Sequence, residues 1–218
     1  MTRWNTLLFD LDGTLIDTND LIISSYEHVL TYYAPDQYSR DDIISWIGVP
    51  LADNFSSISS NPSQVEQMID TYQSHNLANH ETLVREYDGV YDTIKTLYER
   101  GFSLGIVTTK RKEAAVKGAS MLGLLPFFST FVTVDDVENP KPHPEPLQIA
   151  MTQLKARPEE TIMIGDSQFD IMAGKNAGVR TAGVEWTIKG ASFLKNYEPD
   201  WMLARMSDLL DIVGEPEE

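Results

Sequence analysis

Two acidic side chains, Asp10 and Asp12, follow directly on the apolar run Leu7-Leu8-Phe9. Carboxylates this close at the end of a buried strand repel each other unless a metal ion or a shared proton relieves them. Gly13 lets the chain turn there, so both can approach one small volume. Taken alone, Asp-x-Asp equally fits a solvated turn. Three further strings carry the same ambiguity. Thr108-Thr109-Lys110 closes the apolar run Gly105-Ile106-Val107. A hydroxyl there can donate to a phosphoryl oxygen, as can the N–H groups of a helix start, although a threonine N-cap would look the same. Lys141 lies between Pro140 and Pro142, which restrict the backbone and leave the lysine in a set position. By itself it reads as a surface-loop lysine. Asp166 and Asp170, in Ile164-Gly165-Asp166-Ser167-Gln168-Phe169-Asp170, lie four residues apart and share a helix face. Acids at a helix start also serve as caps.

All four strings need strands to bring them together. The pattern predicts strands over residues 6–10, 102–108, 130–134, 161–165 and 179–184, with a short one near Trp201-Met202-Leu203. Helices are predicted between them, over about 90–100, 111–122, 145–154, 169–177 and 207–213. Strand alternating with helix implies a doubly wound parallel α/β sheet. Ligands bind such sheets outside the carboxyl ends of the strands, where all four strings fall. Residues 18–84 break the alternation with helical pattern alone: a helix after Thr18, one over Arg40 to Trp46 capped by Ser39, one over Leu51 to Ile58, and one from Pro62 towards Leu77. The expected organisation is therefore a core of 1–17 and 85–218 with an inserted helical domain of 18–84. The acidic end Glu215-Pro216-Glu217-Glu218 is expected to be disordered.

Composition narrows the chemistry. The chain of 218 residues has no cysteine, which excludes a disulfide framework and thiolate catalysis. No apolar run reaches the roughly 20 residues that span a bilayer. Asp10 and Asp12 interrupt the only apolar stretch near the start, so no signal peptide is expected and a cytoplasmic enzyme is the default. A formal net charge of -16 argues against nucleic acid or a membrane as partner. An anionic substrate would need a local cationic site. Residues 18–84 hold one such side chain, Arg40, besides His28, His75 and His80. The basic residues gather instead at Lys110, Arg111, Lys112 and Lys141.

The four strings, in this order and each at a predicted strand end, resemble the four signatures of the haloacid dehalogenase (HAD) phosphohydrolases, and residues 18–84 fall where that family carries a type 1 helical cap. The resemblance implies Asp10 as nucleophile, Asp12 as general acid/base, and Thr108 and Lys141 on the phosphoryl group. It implies Mg²⁺ held by the Asp10 and Asp166 carboxylates and the Asp12 backbone carbonyl. Asp170 would stand behind them, orienting a metal-bound water or Lys141. The proposed role of Asp12 requires a protonated fraction at working pH, and its presence disfavours a dehalogenase. Closure of the cap would exclude water. The loop Ile47-Gly48-Val49-Pro50-Leu51 resembles the specificity loop of phosphoglycolate-phosphatase-like caps, which makes Gly48 a substrate-binding candidate; a plain break between helices fits equally. Thr109 and Lys110 are substrate-binding candidates at the second strand end. At finer grain, Asn19-Asp20-Leu21-Ile22-Ile23, Gly105 to Lys110, Asp135-Asp136-Val137-Glu138 and Trp186-Thr187-Ile188-Lys189-Gly190 resemble the PpaX-type inorganic pyrophosphatases. The expected reaction is Mg-dependent hydrolysis of pyrophosphate through an aspartyl phosphate. Phosphoglycolate phosphatase or another small phosphomonoester phosphatase is the alternative, a phosphosugar mutase a third, and a non-catalytic binding protein the contrasting class. Oligomeric state is left open.

Overall fold

The computed structural model describes residues 4–214. The acidic end 215–218 lies outside the described residues. The chain forms two compact units, one of residues up to Asp17 together with those from Glu86 onward, the other Thr18–Arg85.

The first unit is built on a six-stranded sheet. Its strands are β1 (Thr6–Phe9), β4 (Ser103–Val107), β5 (Thr130–Val132), β6 (Thr161–Gly165), β7 (Arg180–Val184) and β8 (Trp201–Leu203), in the spatial order β5-β4-β1-β6-β7-β8. Two-residue strands β2 (Ile16–Asp17) and β3 (Arg85–Glu86) form a separate pair where the chain leaves and rejoins this unit. Every neighbouring pair in the large sheet is parallel. Parallel sheets bury both faces, so their strands read as unbroken apolar runs. β1 and β6 accordingly have no exposed residue. The register pairs Phe9 with Ile106 on one side and Ile164 on the other, so the chain ends of β1, β4 and β6 open at one edge.

Helices α5 (Val90–Glu99), α6 (Lys112–Met121), α7 (Glu145–Leu154), α8 (Gln168–Ala177), α9 (Ala191–Lys195) and α10 (Asp208–Val213) complete the unit. One face of the sheet packs Leu8, Val107 and Met163 against Leu147, Ala150 and Met151 of α7 and Ala173 of α8. Gly101 and Gly178 follow α5 and α8 at φ of +84° and +74°, ending them in the left-handed conformation that costs glycine least. Of the apolar face expected for α5, Tyr98 proves exposed and packs on Phe127.

The second unit is four helices: α1 (Asn19–Tyr33), α2 (Arg40–Trp46), α3 (Leu51–Ile58) and α4 (Pro62–Leu83). Ser39 caps α2 in a capping box with Asp42. Tyr26 fills the centre, edge-on to Trp46 and Tyr72 and beside Phe55. α4 runs past Leu77, where the apolar pattern stops, to Leu83. Its buried stripe continues in polar residues, Met68-Tyr72-Asn76-His80 at four-residue spacing, so the helical period persists after the hydropathy signal has gone.

Candidate active site

Asp10 takes over where β1 ends. Its backbone N–H donates to the Ile164 carbonyl of β6 at 2.8 Å, and its side chain is buried. Lys141 reaches it from the proline-bounded loop before α7. The ammonium donates to Asp10 Oδ1 at 2.8 Å, to Asp170 Oδ1 at 2.6 Å and to the Val107 carbonyl at 2.9 Å. An ammonium has three N–H donors, and all three are engaged within the protein. Burial works against its charge, but Asp10 and Asp170 outweigh it and hold the Lys141 pKa above the usual lysine range.

Asp170 is fully buried on the first turn of α8. Its Oδ2 accepts from the Ser167 N–H at 3.0 Å and the Ser167 hydroxyl at 2.6 Å, and Ser167 caps the helix in return. Both Asp170 oxygens thus have protein partners. Asp166 is different. It is 4% exposed, and no group among the described residues donates a hydrogen bond to its carboxylate; burial and the fields of nearby charges act on it. Two glycines make room for these acids. A Cβ on Gly13 (φ +77°) would lie 2.4 Å from Asp166 Oδ2, and one on Gly165 would lie 2.3 Å from Asp170 Cβ. Asp10, Asp166 and Asp170 each offer an oxygen, all within 4.8 Å of one another.

Three buried acids beside one buried lysine, which contacts Asp10 and Asp170, are short of positive charge. Burial pushes the Asp10 carboxyl up, to about 7, despite Lys141. Burial, then Asp10 and Asp170, push Asp166 well above the usual carboxylate range. A partnerless buried carboxylate beside the half-free Asp10 fits a divalent cation, and hard oxygen donors suit Mg²⁺. Asp170 engages Lys141 through one oxygen and Ser167 through the other.

The remaining sequence candidates divide. Thr108, at the end of β4, is buried, and its hydroxyl oxygen accepts the Lys110 N–H at 3.1 Å; its hydrogen remains to donate. Thr109 is half-buried beside it. Lys110 turns inward and its ammonium donates to Asp12 Oδ1 at 2.8 Å. Arg111 and Lys112 face outward, where Asp135 takes the Lys112 N–H and lies 4.0 Å from the Arg111 guanidinium. The basic cluster of the sequence therefore splits, with only Lys110 and Lys141 at the acids. Gly48 belongs to the helical unit, in the turn between α2 and α3 at φ +90°. Sequence reasoning missed Ser167, whose placement in an Asp-Ser-x-x-Asp capping box was readable, and Lys189. Lys189 lies beyond the end of β7, on the segment after Glu185 and Trp186, set back from the strand end itself. Its ammonium donates to Gln168 Oε1 at 3.2 Å.

A parallel sheet with a buried Asp/Lys cluster at its carboxyl edge and a helical insertion after the first strand defines a hydrolase of the haloacid dehalogenase type. The family model described as haloacid dehalogenase-like hydrolase matches residues 7–184, and the chain belongs to that family. It is 56% identical over 210 residues to a protein named pyrophosphatase PpaX from Anoxybacillus flavithermus, covering 96% of this chain and 97% of the relative. A protein of the same name from Halalkalibacterium halodurans is 55% identical over the same shares. Among solved structures, a haloacid dehalogenase-like family hydrolase from Streptococcus pneumoniae superposes with a TM-score of 0.85 at 24% identity, covering 98% of this chain and all of that one. No helix among the described residues is long and apolar enough to cross a membrane.

Proposed function

We propose that this chain hydrolyses inorganic pyrophosphate in two steps through a phosphorylated Asp10. The observation that carries the substrate is the identity above one half, over nearly the whole chain, to proteins named pyrophosphatase. The geometry supports the mechanism. Lys141 pins Asp10 Oδ1, which leaves Oδ2 to attack phosphorus. The bond from phosphorus to the bridging oxygen breaks, and phosphate leaves with the bond electrons. Asp12 supplies a proton to that oxygen. A water then attacks the phosphorus of the aspartyl phosphate, Asp12 takes its proton, and the bond to Asp10 breaks. The Thr108 hydroxyl and the N–H groups after it donate to the phosphoryl oxygens. Mg²⁺, held by the Asp10 and Asp166 carboxylates and the Asp12 carbonyl, would supply charge neutralisation for the phosphoryl group. Lys110, with one N–H on Asp12, keeps others for the leaving phosphate beside the proton donor. Thr109 is a further donor at the same strand end.

The test is turnover of purified protein with Mg²⁺ on pyrophosphate, phosphoglycolate and hexose phosphates. The highest kcat/KM is expected on pyrophosphate, and Asp10→Asn should abolish turnover with circular dichroism unchanged. A preference for phosphoglycolate would assign the site to a phosphomonoester. Undiminished activity in Asp10→Asn would exclude the covalent step.

A further inference from the structure

The cluster leaves one question of charge open: what receives the phosphate that Asp10 does not attack. Lys141 has no N–H to spare, since Asp10, Asp170 and the Val107 carbonyl take all three. Lys110 is committed in part to Asp12. A third lysine stands at the same edge. β7 pairs with β6 so that Gly183 lies opposite Gly165, and the chain beyond β7 therefore emerges next to the Asp166 loop. Lys189 is on that segment. The buried Thr187 side chain accepts its backbone N–H at 3.3 Å. Its ammonium is 3.2 Å from Gln168 Oε1, 5.6 Å from the centre of the Phe169 ring and 5.8 Å from that of Phe193. Gln168 and Phe169 directly follow Asp166 and Ser167.

We infer that Lys189 is a specificity-determining residue whose ammonium engages the second phosphate of a diphosphate substrate, an inference that rests on the pyrophosphate reading above. A lysine gains from staying in water, yet this one is half-buried between two aromatic faces and a glutamine. Burial lowers its pKa while Asp166 and Asp170 pull it back up, so its charge already acts on the acid cluster. The rings and Gln168 flank the ammonium beside the Asp166 loop. A phosphomonoester with an uncharged leaving group offers nothing there, whereas a diphosphate brings a second dianion. In a chain of net charge -16, a cation so placed distinguishes a polyanion from a single phosphate.

The experiment compares Lys189→Met and Lys189→Arg with the wild type, using pyrophosphate and p-nitrophenyl phosphate at saturating Mg²⁺, with Mg²⁺ affinity measured separately by calorimetry. In Lys189→Met the ratio of kcat/KM for pyrophosphate to that for p-nitrophenyl phosphate should fall roughly 10- to 100-fold, the worth of one hydrogen bond between charged groups. The loss should lie mainly in KM, and Lys189→Arg should recover most of it. An unchanged ratio in Lys189→Met overturns the inference. So does an equal fall on both substrates with weakened Mg²⁺ binding, because Lys189 would then only place α8 and Asp166. A wild type that cleaves p-nitrophenyl phosphate but not pyrophosphate overturns the functional reading itself, and the inference with it.

Discussion

Asp166 and Asp170 lie four residues apart, are both buried, and should respond to the same substitution in opposite ways. Asp166 receives no hydrogen bond from the described residues and is opposed by burial, Asp10 and Asp170. Burying an ion costs several kcal/mol even after relaxation, and part of this is recovered by protonation. Asp166→Asn should therefore stabilise the metal-free protein by about 1–3 kcal/mol at pH 7.5. At ~2–4 °C per kcal/mol for a chain of this size, Tm in EDTA should rise by ~2–12 °C. Asp170→Asn removes the charge that meets Lys141 at 2.6 Å. Breaking a buried pair on one side costs about 3–5 kcal/mol, a fall of roughly 6–20 °C. Mg²⁺ binding should rank the other way. Asp170→Asn disturbs a supporting residue, typically ~10–100-fold in affinity, and Asp166→Asn removes a ligand and should cost more.

The sign with pH follows from the raised carboxyls. Asp10 and Asp166 have folded pKa values above the unfolded value of about 3.9. Above that pH the folded state holds protons that the unfolded state has released, so stability falls as pH rises through the folded values. Asp166→Asn lacks one of these groups. Its advantage in EDTA should be small near pH 4 and grow towards pH 7.5. Differential scanning calorimetry over that range, with and without Mg²⁺, reads both effects. A lower Tm for Asp166→Asn in EDTA at pH 7.5, or a greater loss of Mg²⁺ affinity in Asp170→Asn, would refute this assignment of the two acids.

Two more outcomes follow from the same geometry. Gly13→Ala puts a methyl group 2.4 Å from Asp166 Oδ2 at a φ of +77°, so Asp166 must move; Mg²⁺ affinity should fall by at least about tenfold, and an unchanged calorimetric titration would contradict the close approach. Asp12→Asn should slow phosphorylation of Asp10 less with pyrophosphate than with a phosphomonoester, because phosphate is the weaker base and needs less proton donation, whereas general acid catalysis is worth roughly 10²–10⁴-fold where it is needed; rapid-quench rates falling equally for both would sink that leaving-group argument.

The legible parts of this chain were those where the backbone is punctuated. The fully buried strands read as apolar runs, and Ser39 marked a helix start that the structure places where the pattern did. Acids at a strand end stood out because an apolar environment makes them costly. What escaped was of other kinds. The last turns of α4 bury Asn76 and His80, so hydropathy could not follow them. α9 spans five residues, too few for a period to repeat. Lys110 was read as a partner for phosphate, and its bond to Asp12 depends on a contact 98 residues apart in sequence. Lys189 went unweighed because it lies beyond its strand end rather than at it, and only the pairing of β6 with β7 puts it beside the Asp166 loop.

The charge arrangement also explains why Asp10, as the proposed nucleophile, needs company. Attack on phosphorus requires Asp10 as the anion. Burial alone would keep its proton, and Lys141 does not reverse this, because Asp170 shares the same ammonium and, with Asp12, adds repulsion. A carboxyl held near 7 is only part ionised at neutral pH. Its pKa returns to the ordinary carboxylate range only if further positive charge settles beside it, and the side open to such charge is the one bounded by the partnerless Asp166. The same imbalance that destabilises the cluster therefore couples ionisation of Asp10 to cation binding, so that the proposed nucleophile would become fully competent when the charge needed to receive a phosphoryl group is already in place.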